Sequence, residues 1–183
     1  ACGSAFYAGS VGKYVIERLC RLPVEADLAS ELRYRDPLVD EHTLLVVVSQ
    51  SGETADTIAA MKECKARGAR VLAIVNVVGS TIAKLADDVI YTWAGPEIAV
   101  ATTKGYTTQV AVLDMLAVYL ARRLGRIDEA RYRELVGAIE SFPALVQRAI
   151  DLNPNLEALA EKYHSHQDVF FIGRNLDYAA CME

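Results

Sequence analysis

Three short runs of apolar residues predict the strands of a parallel sheet. Residues 43–48 (TLLVVV) and 70–76 (RVLAIVN) are apolar with little alternation, which is typical of central parallel strands covered on both faces. A third run at residues 88–92 (DVIYT) alternates between polar and apolar positions. The helical segments between these runs supply the crossovers that parallel strands require, so the pattern predicts a sheet between two layers of helices.

Apolar residues at helical spacing predict the helices around this sheet. Long helices are expected at residues 5–20, 54–67, 103–124, 129–150 with a break at Pro143, and 154–163. Shorter helices are expected at residues 29–34 and 81–85, a last one from Leu176, and two more strands at residues 24–28 and 169–172. The predicted fold is a single three-layer α/β/α domain over residues 1–183, flavodoxin- or Rossmann-like, with a parallel sheet of about five strands. Because the first residues look like a strand end and the last like a helix start, we expect a fragment with truncated ends.

The composition argues against several classes of protein. Acidic residues outnumber basic ones by 24 to 19, for a net charge of −5, and the chain has no basic stripe suited to a nucleic-acid backbone. No apolar run approaches the roughly 20 residues of a membrane span. The four cysteines are scattered, which indicates neither a zinc site nor a disulfide framework and favours a reducing, cytoplasmic setting. We therefore expect no metal, cofactor, nucleic acid or membrane among its partners.

The most informative segment is SQSGET, residues 49–54, which directly follows the first predicted strand. In parallel α/β sheets a strand end and the start of the next helix face a common crevice, where free helix N–H groups attract anions. Ser49, Ser51 and Thr54 add three hydroxyl groups to those amides, and Gly52 allows a ligand to approach the backbone closely. A helix cap explains one hydroxyl group, but not three together with Gln50. We therefore predict a site for phosphate or a similar oxyanion, with a plain helix cap as the alternative.

Two other predicted helix starts carry polar residues that can reach the same crevice. Ser4 is expected to cap the first helix at a strand-to-helix turn, where capping alone and ligand contact are both open. Before the long helix at 103–124, Thr102 and Thr103 provide two hydroxyl groups and Lys104 provides a cation. A cation in the first turn opposes the helix dipole, so Lys104 either has a role outside helix stability or is simply solvated.

Four motifs, in this order, resemble one known family. They are ACGS at residues 1–4, SELRYR at 30–35, SQSGET at 49–54 and EIAVATTKGYTTQ at 97–109. Together they resemble the sugar isomerase (SIS) fold, and within it the first half of the isomerase region of glutamine:fructose-6-phosphate aminotransferases. The resemblance implies an enzyme that makes glucosamine 6-phosphate from fructose 6-phosphate and glutamine. It also implies a homodimer, with a second SIS half and a glutaminase domain in the parent protein.

The resemblance further implies roles for individual residues. The implied ligands of the fructose 6-phosphate phosphate group are Ser49, Gln50, Ser51 and Thr54. The implied contacts to the sugar are Ser4, Val100 and Thr102. Ala5 and Thr102 stand where serine is usual, so one sugar contact is expected to be lost at Ala5, whereas Thr102 keeps its hydroxyl group. The family's catalytic glutamate, histidine and lysine belong to a region beyond Glu183, so no catalytic residue is expected in this chain.

Two other functions fit the same residues. One is a SIS module that senses a sugar phosphate inside a regulatory protein, since the catalytic residues are expected to be missing. The other is a flavodoxin-like module that holds a flavin phosphate in the hydroxyl-rich loop.

Overall fold

The centre of the fold is a parallel sheet with the strand order β1-β2-β3. The structure, a computed structural model, describes residues 1–99 and 102–183, with the backbone alone at 153–155. Within these residues the strands are β1 (Leu44–Ser49), β2 (Arg70–Val75) and β3 (Asp88–Tyr91). Leu44 pairs with Arg70 at one end of β1 and Ser49 pairs with Val75 at the other, so both strands end at the same edge. In an open parallel sheet, ligands bind at this carboxyl edge.

Every helix predicted from apolar spacing forms, and four of the helices pack on the sheet. The helices are α1 (Ser4–Cys20), α2 (Ala29–Leu32), α3 (Ala55–Ala66), α4 (Thr81–Leu85), α5 (Thr103–Arg123), α6 (Glu129–Ile150), α7 (Asn153–Tyr163) and α8 (Leu176–Cys181). Among the described residues, none of these helices has the length and apolar character needed to cross a bilayer.

The two faces of the sheet are packed by different helices. The first cluster joins the sheet to α1 and α5 and contains Ala5, Ala8, Val48, Leu72, Ile74, Val112, Leu113 and Leu116. The second joins it to α3 and α4 and contains Val47, Met61, Val71, Ala73, Val75 and Ile82. Successive strand residues point to opposite faces, so the neighbours Val47 and Val48 belong to different layers. The predicted α/β class, with its parallel sheet, is confirmed.

The sheet is smaller than the predicted five strands. In the ranges 1–99 and 102–183, residues 24–28 and 169–172 form no strand, so both of these strand predictions are wrong. The apolar side chains of residues 169–172 are largely exposed, with Phe170 at 87% and Ile172 at 90%. An apolar run indicates burial against some surface but does not identify that surface.

Two local predictions about helices are also wrong. Gly3, not Ser4, occupies the N-cap position of α1, and Ser4 is the first helical residue. The α6 helix runs through Pro143 without the expected break. This helix packs against α5, yet none of its residues is fully buried, and it exposes apolar side chains such as Phe142, Leu145 and Ile150.

Candidate functional site

A cavity of about 280 Å³ lies at the carboxyl end of β1, between the start of α1, the start of α3 and the start of α5. Its lining contains six of the seven predicted ligand residues: Ser4, Ser49, Gln50, Ser51, Thr54 and Thr102. The seventh, Val100, lies outside the described residues. Three stretches far apart in sequence thus converge on one crevice. The remaining lining residues are Cys2, Ala5, Val48, Glu97, Ala99 and Gln109.

The two serines of the 49–54 loop keep their hydroxyl protons available. Ser49 is buried, and its Oγ accepts a hydrogen bond from the Gly52 N–H at 3.0 Å. The Oγ of Ser51 accepts one from the Glu53 N–H at 3.2 Å. Because each oxygen already accepts a backbone hydrogen bond, each O–H remains able to donate to an anion in the cavity.

Thr54 stands at the N-cap position of α3 without acting as a side-chain cap. Its side chain makes no capping hydrogen bond among the described residues. The first N–H groups of a helix have no intrahelical acceptor, and the helix dipole makes this end positive. Both the Thr54 hydroxyl group and the first amides of α3 therefore remain available at the cavity, which does not fit the plain-cap alternative.

The start of α4 holds the 49–54 loop in place through hydrogen bonds. The Ile82 N–H donates to the Gly52 carbonyl oxygen at 3.0 Å, and the Thr81 N–H donates to Glu53 Oε1 at 2.7 Å. Hydrogen bonds from Thr81 lower the pKa of Glu53, since they stabilise its carboxylate form. The Glu53 charge is thereby held against α4 and is not part of the cavity lining.

Gly52 itself is required by the geometry of this support. Its φ is +68°, in the left-handed region that glycine adopts without strain. A Cβ atom added at Gly52 would collide with Ser80 Oγ and would lie 2.6 Å from Ser80 Cβ. The close approach of the loop to Ser80 therefore leaves room only for glycine.

The opposite wall of the cavity is formed at the start of α5. Thr102 is the N-cap residue, and its Oγ1 donates to Glu97 Oε2 at 2.9 Å. The same carboxylate oxygen accepts from the Gly105 N–H at 3.3 Å, so Glu97 rather than Thr102 caps α5. Since the Thr102 proton is used on Glu97, its oxygen can only accept hydrogen bonds from a ligand. Lys104 is exposed and lies outside the lining.

Sequence reasoning missed Glu97 and Gln109 as cavity residues. Gln109 is only 1% exposed, and its Oε1 has no hydrogen-bond partner among the described residues. A glutamine on the apolar stripe of α5, three residues before Val112, was the available signal. The Oε1 atom of Gln50 is likewise buried without a partner in the described part of the chain. An ionised phosphate accepts hydrogen bonds and cannot donate one to this oxygen. Gln50 can therefore bind a phosphate only through its amide NH₂ group.

The described lining carries hydroxyl and amide groups, one thiol and one carboxylate, that of Glu97. Among its residues, as far as the structure describes them, neither lysine, arginine nor histidine occurs. A wider depression of about 520 Å³ lies at the other edge of the sheet, where β2 and β3 begin, but its charged groups are paired. Lys65 contacts Asp87 at 2.6 Å and Arg70 contacts Asp88 at 2.8 Å. The cavity at the carboxyl edge is therefore the candidate site.

Comparison with known proteins identifies the family of this chain. The SIS domain family matches residues 1–119. The chain is 60% identical over its whole length to an isomerizing glutamine–fructose-6-phosphate aminotransferase of Symbiobacterium thermophilum, and 51% identical to that of Clostridium tetani. It spans about 30% of the length of these relatives.

Solved structures show the same fold. The C-terminal domain of glucosamine-fructose-6-phosphate aminotransferase from Francisella tularensis superposes with a TM-score of 0.95 at 32% identity, over 98% of this chain and 51% of that one. A glucosamine-6-phosphate deaminase from Thermotoga maritima matches 74% of this chain and 41% of its own, with a TM-score of 0.63 and 27% identity. These matches favour the SIS interpretation over the flavodoxin-like one. Since the family match covers well over half of its residues, this chain belongs to the SIS domain family.

Proposed function

We propose that this chain is the fructose-6-phosphate-binding SIS unit of an isomerizing glutamine–fructose-6-phosphate aminotransferase. In this proposal the parent enzyme makes glucosamine 6-phosphate from fructose 6-phosphate and glutamine. Ser49, Gln50, Ser51 and Thr54 bind the phosphate group, whereas Ser4, Val100 and Thr102 contact the sugar. The observation that carries the proposal is the convergence of the described members of this set on one cavity. The identity of 60% to a relative with that name supports the choice of reaction.

The donor geometry supports a phosphate at the 49–54 loop. Ser49, Ser51 and Thr54 line one small volume at the start of α3, whose first amides have no intrahelical acceptor. Hydrogen bonds to a charged group contribute roughly 1.5–3 kcal/mol each, and a helix N-terminus adds about 0.3–2 kcal/mol. Ordering the ligand costs several kcal/mol. With no cation in the described lining, we expect a Kd on the order of 0.1–1 mM, or about −4 to −5.5 kcal/mol.

The catalytic acid–base groups are proposed to come from outside this chain. The lining offers one carboxylate, Glu97, and that group is engaged in capping α5. A second SIS half and a glutaminase domain would supply the remaining chemistry. The exposed apolar side chains of α6 and of residues 169–172 support packing against such a partner, either the second half or the other subunit of a homodimer.

The parent enzyme is proposed to work in the cytoplasm. All four cysteines of this chain are free thiols, with Cys20 and Cys64 buried in the fold. Free thiols of this kind are typical of proteins in a reducing compartment.

The test is to remove one hydroxyl group from the loop at nearly constant volume. We expect Thr54→Val to weaken fructose 6-phosphate binding about ten-fold or more in calorimetric titration, because a hydrogen bond to a charged group is lost. Thr107→Val is the matched control, since its Oγ1 bonds Thr103 O within α5, away from the cavity. An unchanged affinity in Thr54→Val would mean that the loop merely starts a helix.

A second assay separates the enzyme from the sugar-phosphate sensor. The full natural chain should form glucosamine 6-phosphate from fructose 6-phosphate and glutamine, and Thr54→Val should reduce this activity. If the full natural chain binds fructose 6-phosphate with no turnover, the sensor alternative replaces the enzyme.

A further inference from the structure

Gln109 is a buried polar residue whose side-chain carbonyl oxygen has no hydrogen-bond partner among the described residues. It stands in the second turn of α5 and lines the cavity together with the apolar residues Ala5 and Val48. Its side chain is 99% buried, since the exposed fraction is 1%, yet Oε1 has no partner among the described residues. Leaving such an acceptor unsatisfied destabilises the fold, so a buried acceptor of this kind calls for a compensating role.

The surroundings of Gln109 distinguish it from the phosphate loop. On the loop side, Ser49, Ser51 and the start of α3 present hydrogen-bond donors. On the α5 side, the Thr102 hydroxyl group donates its proton to Glu97, so its oxygen can only accept a hydrogen bond from a ligand. Gln109 lines the cavity on this same side, and its buried carbonyl oxygen is a second acceptor, without a partner among the described residues. The donors therefore lie on the loop side, here called the donor side, where Gln50 Oε1 is an acceptor among them. The α5 side, here called the acceptor side, carries the acceptor oxygens of Thr102 and Gln109.

We infer that Gln109 is a specificity-determining residue whose carbonyl oxygen accepts a hydrogen bond from a hydroxyl group of the bound sugar phosphate. The inference rests on the proposed function, because it needs a ligand whose phosphate lies on the donor side. Phosphate is an acceptor-rich group and cannot satisfy Oε1, whereas a polyol chain extending from the phosphate carries the donors that the acceptor side lacks. Gln109 thus selects a phosphorylated polyol over a bare phosphate ion.

A purely structural glutamine would behave differently under substitution. If Gln109 stabilised the core through its amide, its replacement by an apolar residue of similar length would destabilise the fold. If its oxygen is reserved for a ligand, the same replacement removes an unsatisfied buried acceptor and leaves stability unchanged or higher. Gln109→Met tests this because methionine is unbranched, close in length and compatible with a helix.

The experiment measures binding and stability of Gln109→Met in the full natural chain. Fructose 6-phosphate affinity should fall about ten-fold or more, inorganic phosphate affinity should stay the same, and the Tm should not decrease. Gln147→Met is the matched control, since Gln147 is exposed on α6 and bonds Asp151 outside the cavity. It should leave both affinities unchanged.

A series of monodeoxy analogues of fructose 6-phosphate supplies a second measurement. The wild type should lose affinity for the analogue that lacks the hydroxyl group bound by Gln109. Gln109→Met should show no further loss with that same analogue, since the interaction is already absent.

Each remaining outcome counts against one of the two claims. If Gln109→Met binds fructose 6-phosphate like the wild type while Thr54→Val does not, the role of Gln109 is refuted and the proposed function stands. If Gln109→Met unfolds, or loses phosphate and sugar phosphate equally, Gln109 is structural. If the wild type binds neither fructose 6-phosphate nor its analogues, the proposed function fails and the role of Gln109 fails with it.

Discussion

The contact between Gly52 and Ser80 leads to a quantitative prediction for Gly52→Ala. The substituted side chain would stand at a φ of +68° and within 2.6 Å of Ser80 Cβ. Ser80 cannot move away easily, because it is 3% exposed and is the N-cap residue of α4, whose first amides donate hydrogen bonds to the loop. We expect the loop to shift out of its position above Ser80, and with it the hydroxyl groups of Ser49 and Ser51.

The size of the effect follows from two separate costs. A left-handed conformation costs an ordinary residue about 1–2 kcal/mol, and an overpacked contact in a well-packed region costs about 1–3 kcal/mol. The free energy of unfolding of Gly52→Ala should therefore fall by roughly 2–5 kcal/mol. Fructose 6-phosphate binding should be lost as well, because a displacement of the loop misaligns all of its donors.

Gly79→Ala is a matched control that carries only the cost of the left-handed backbone conformation. The φ of Gly79 is +73°, and a Cβ atom added there meets nothing within 4 Å among the described residues. Gly79→Ala should thus lose only the conformational part, about 1–2 kcal/mol, and keep its affinity for fructose 6-phosphate. Urea unfolding of both variants, with titration calorimetry of the ligand, measures the difference.

A double variant isolates the collision. Ser80→Gly removes both atoms that the new Cβ would meet, so in the Gly52→Ala background it should recover the overpacking cost of about 1–3 kcal/mol. Equal destabilisation of Gly52→Ala and Gly79→Ala, or no recovery with Ser80→Gly, would refute the packing argument.

Two further predictions concern charge and the lost hydroxyl group. Hydrogen bonds from Thr81 lower the pKa of Glu53 below its usual 4.5, so the carboxylate stabilises the fold above that value and this contribution is lost as the pH falls through the lowered pKa. Glu53→Gln should therefore lose less stability than the wild type between about pH 6 and about pH 3 in thermal unfolding, and parallel curves would contradict this. Ala5 lines the cavity and is almost buried, so Ala5→Ser adds a hydroxyl group there and should tighten fructose 6-phosphate binding about two- to ten-fold in calorimetric titration. An unchanged affinity would place the added hydroxyl group out of reach of the sugar.

Local patterns in the sequence were sufficient for the layout of the central fold. The runs around Val47 and Ala73 are apolar on both faces, and only a strand between two helical layers satisfies such a run. The segment 49–54 was likewise predictable as a candidate anion site, because its hydroxyl groups, its glycine and the helix start are neighbours along the chain. These features depend on residues within a few positions of each other, so they can be predicted from the sequence alone.

The tertiary structure decided which distant residues share the cavity and which apolar segments are paired. Gln109 and Glu97 belong to the site only because the start of α5 lies beside the end of β1. The requirement for Gly52 comes from Ser80, which lies 28 positions later and contacts it only through packing. Residues 169–172 carry a strand-like pattern, yet a strand forms only where a neighbour offers its backbone hydrogen bonds. Burial and pairing are properties of contacts between distant segments, so the pattern along the chain could indicate them but could not specify the partners.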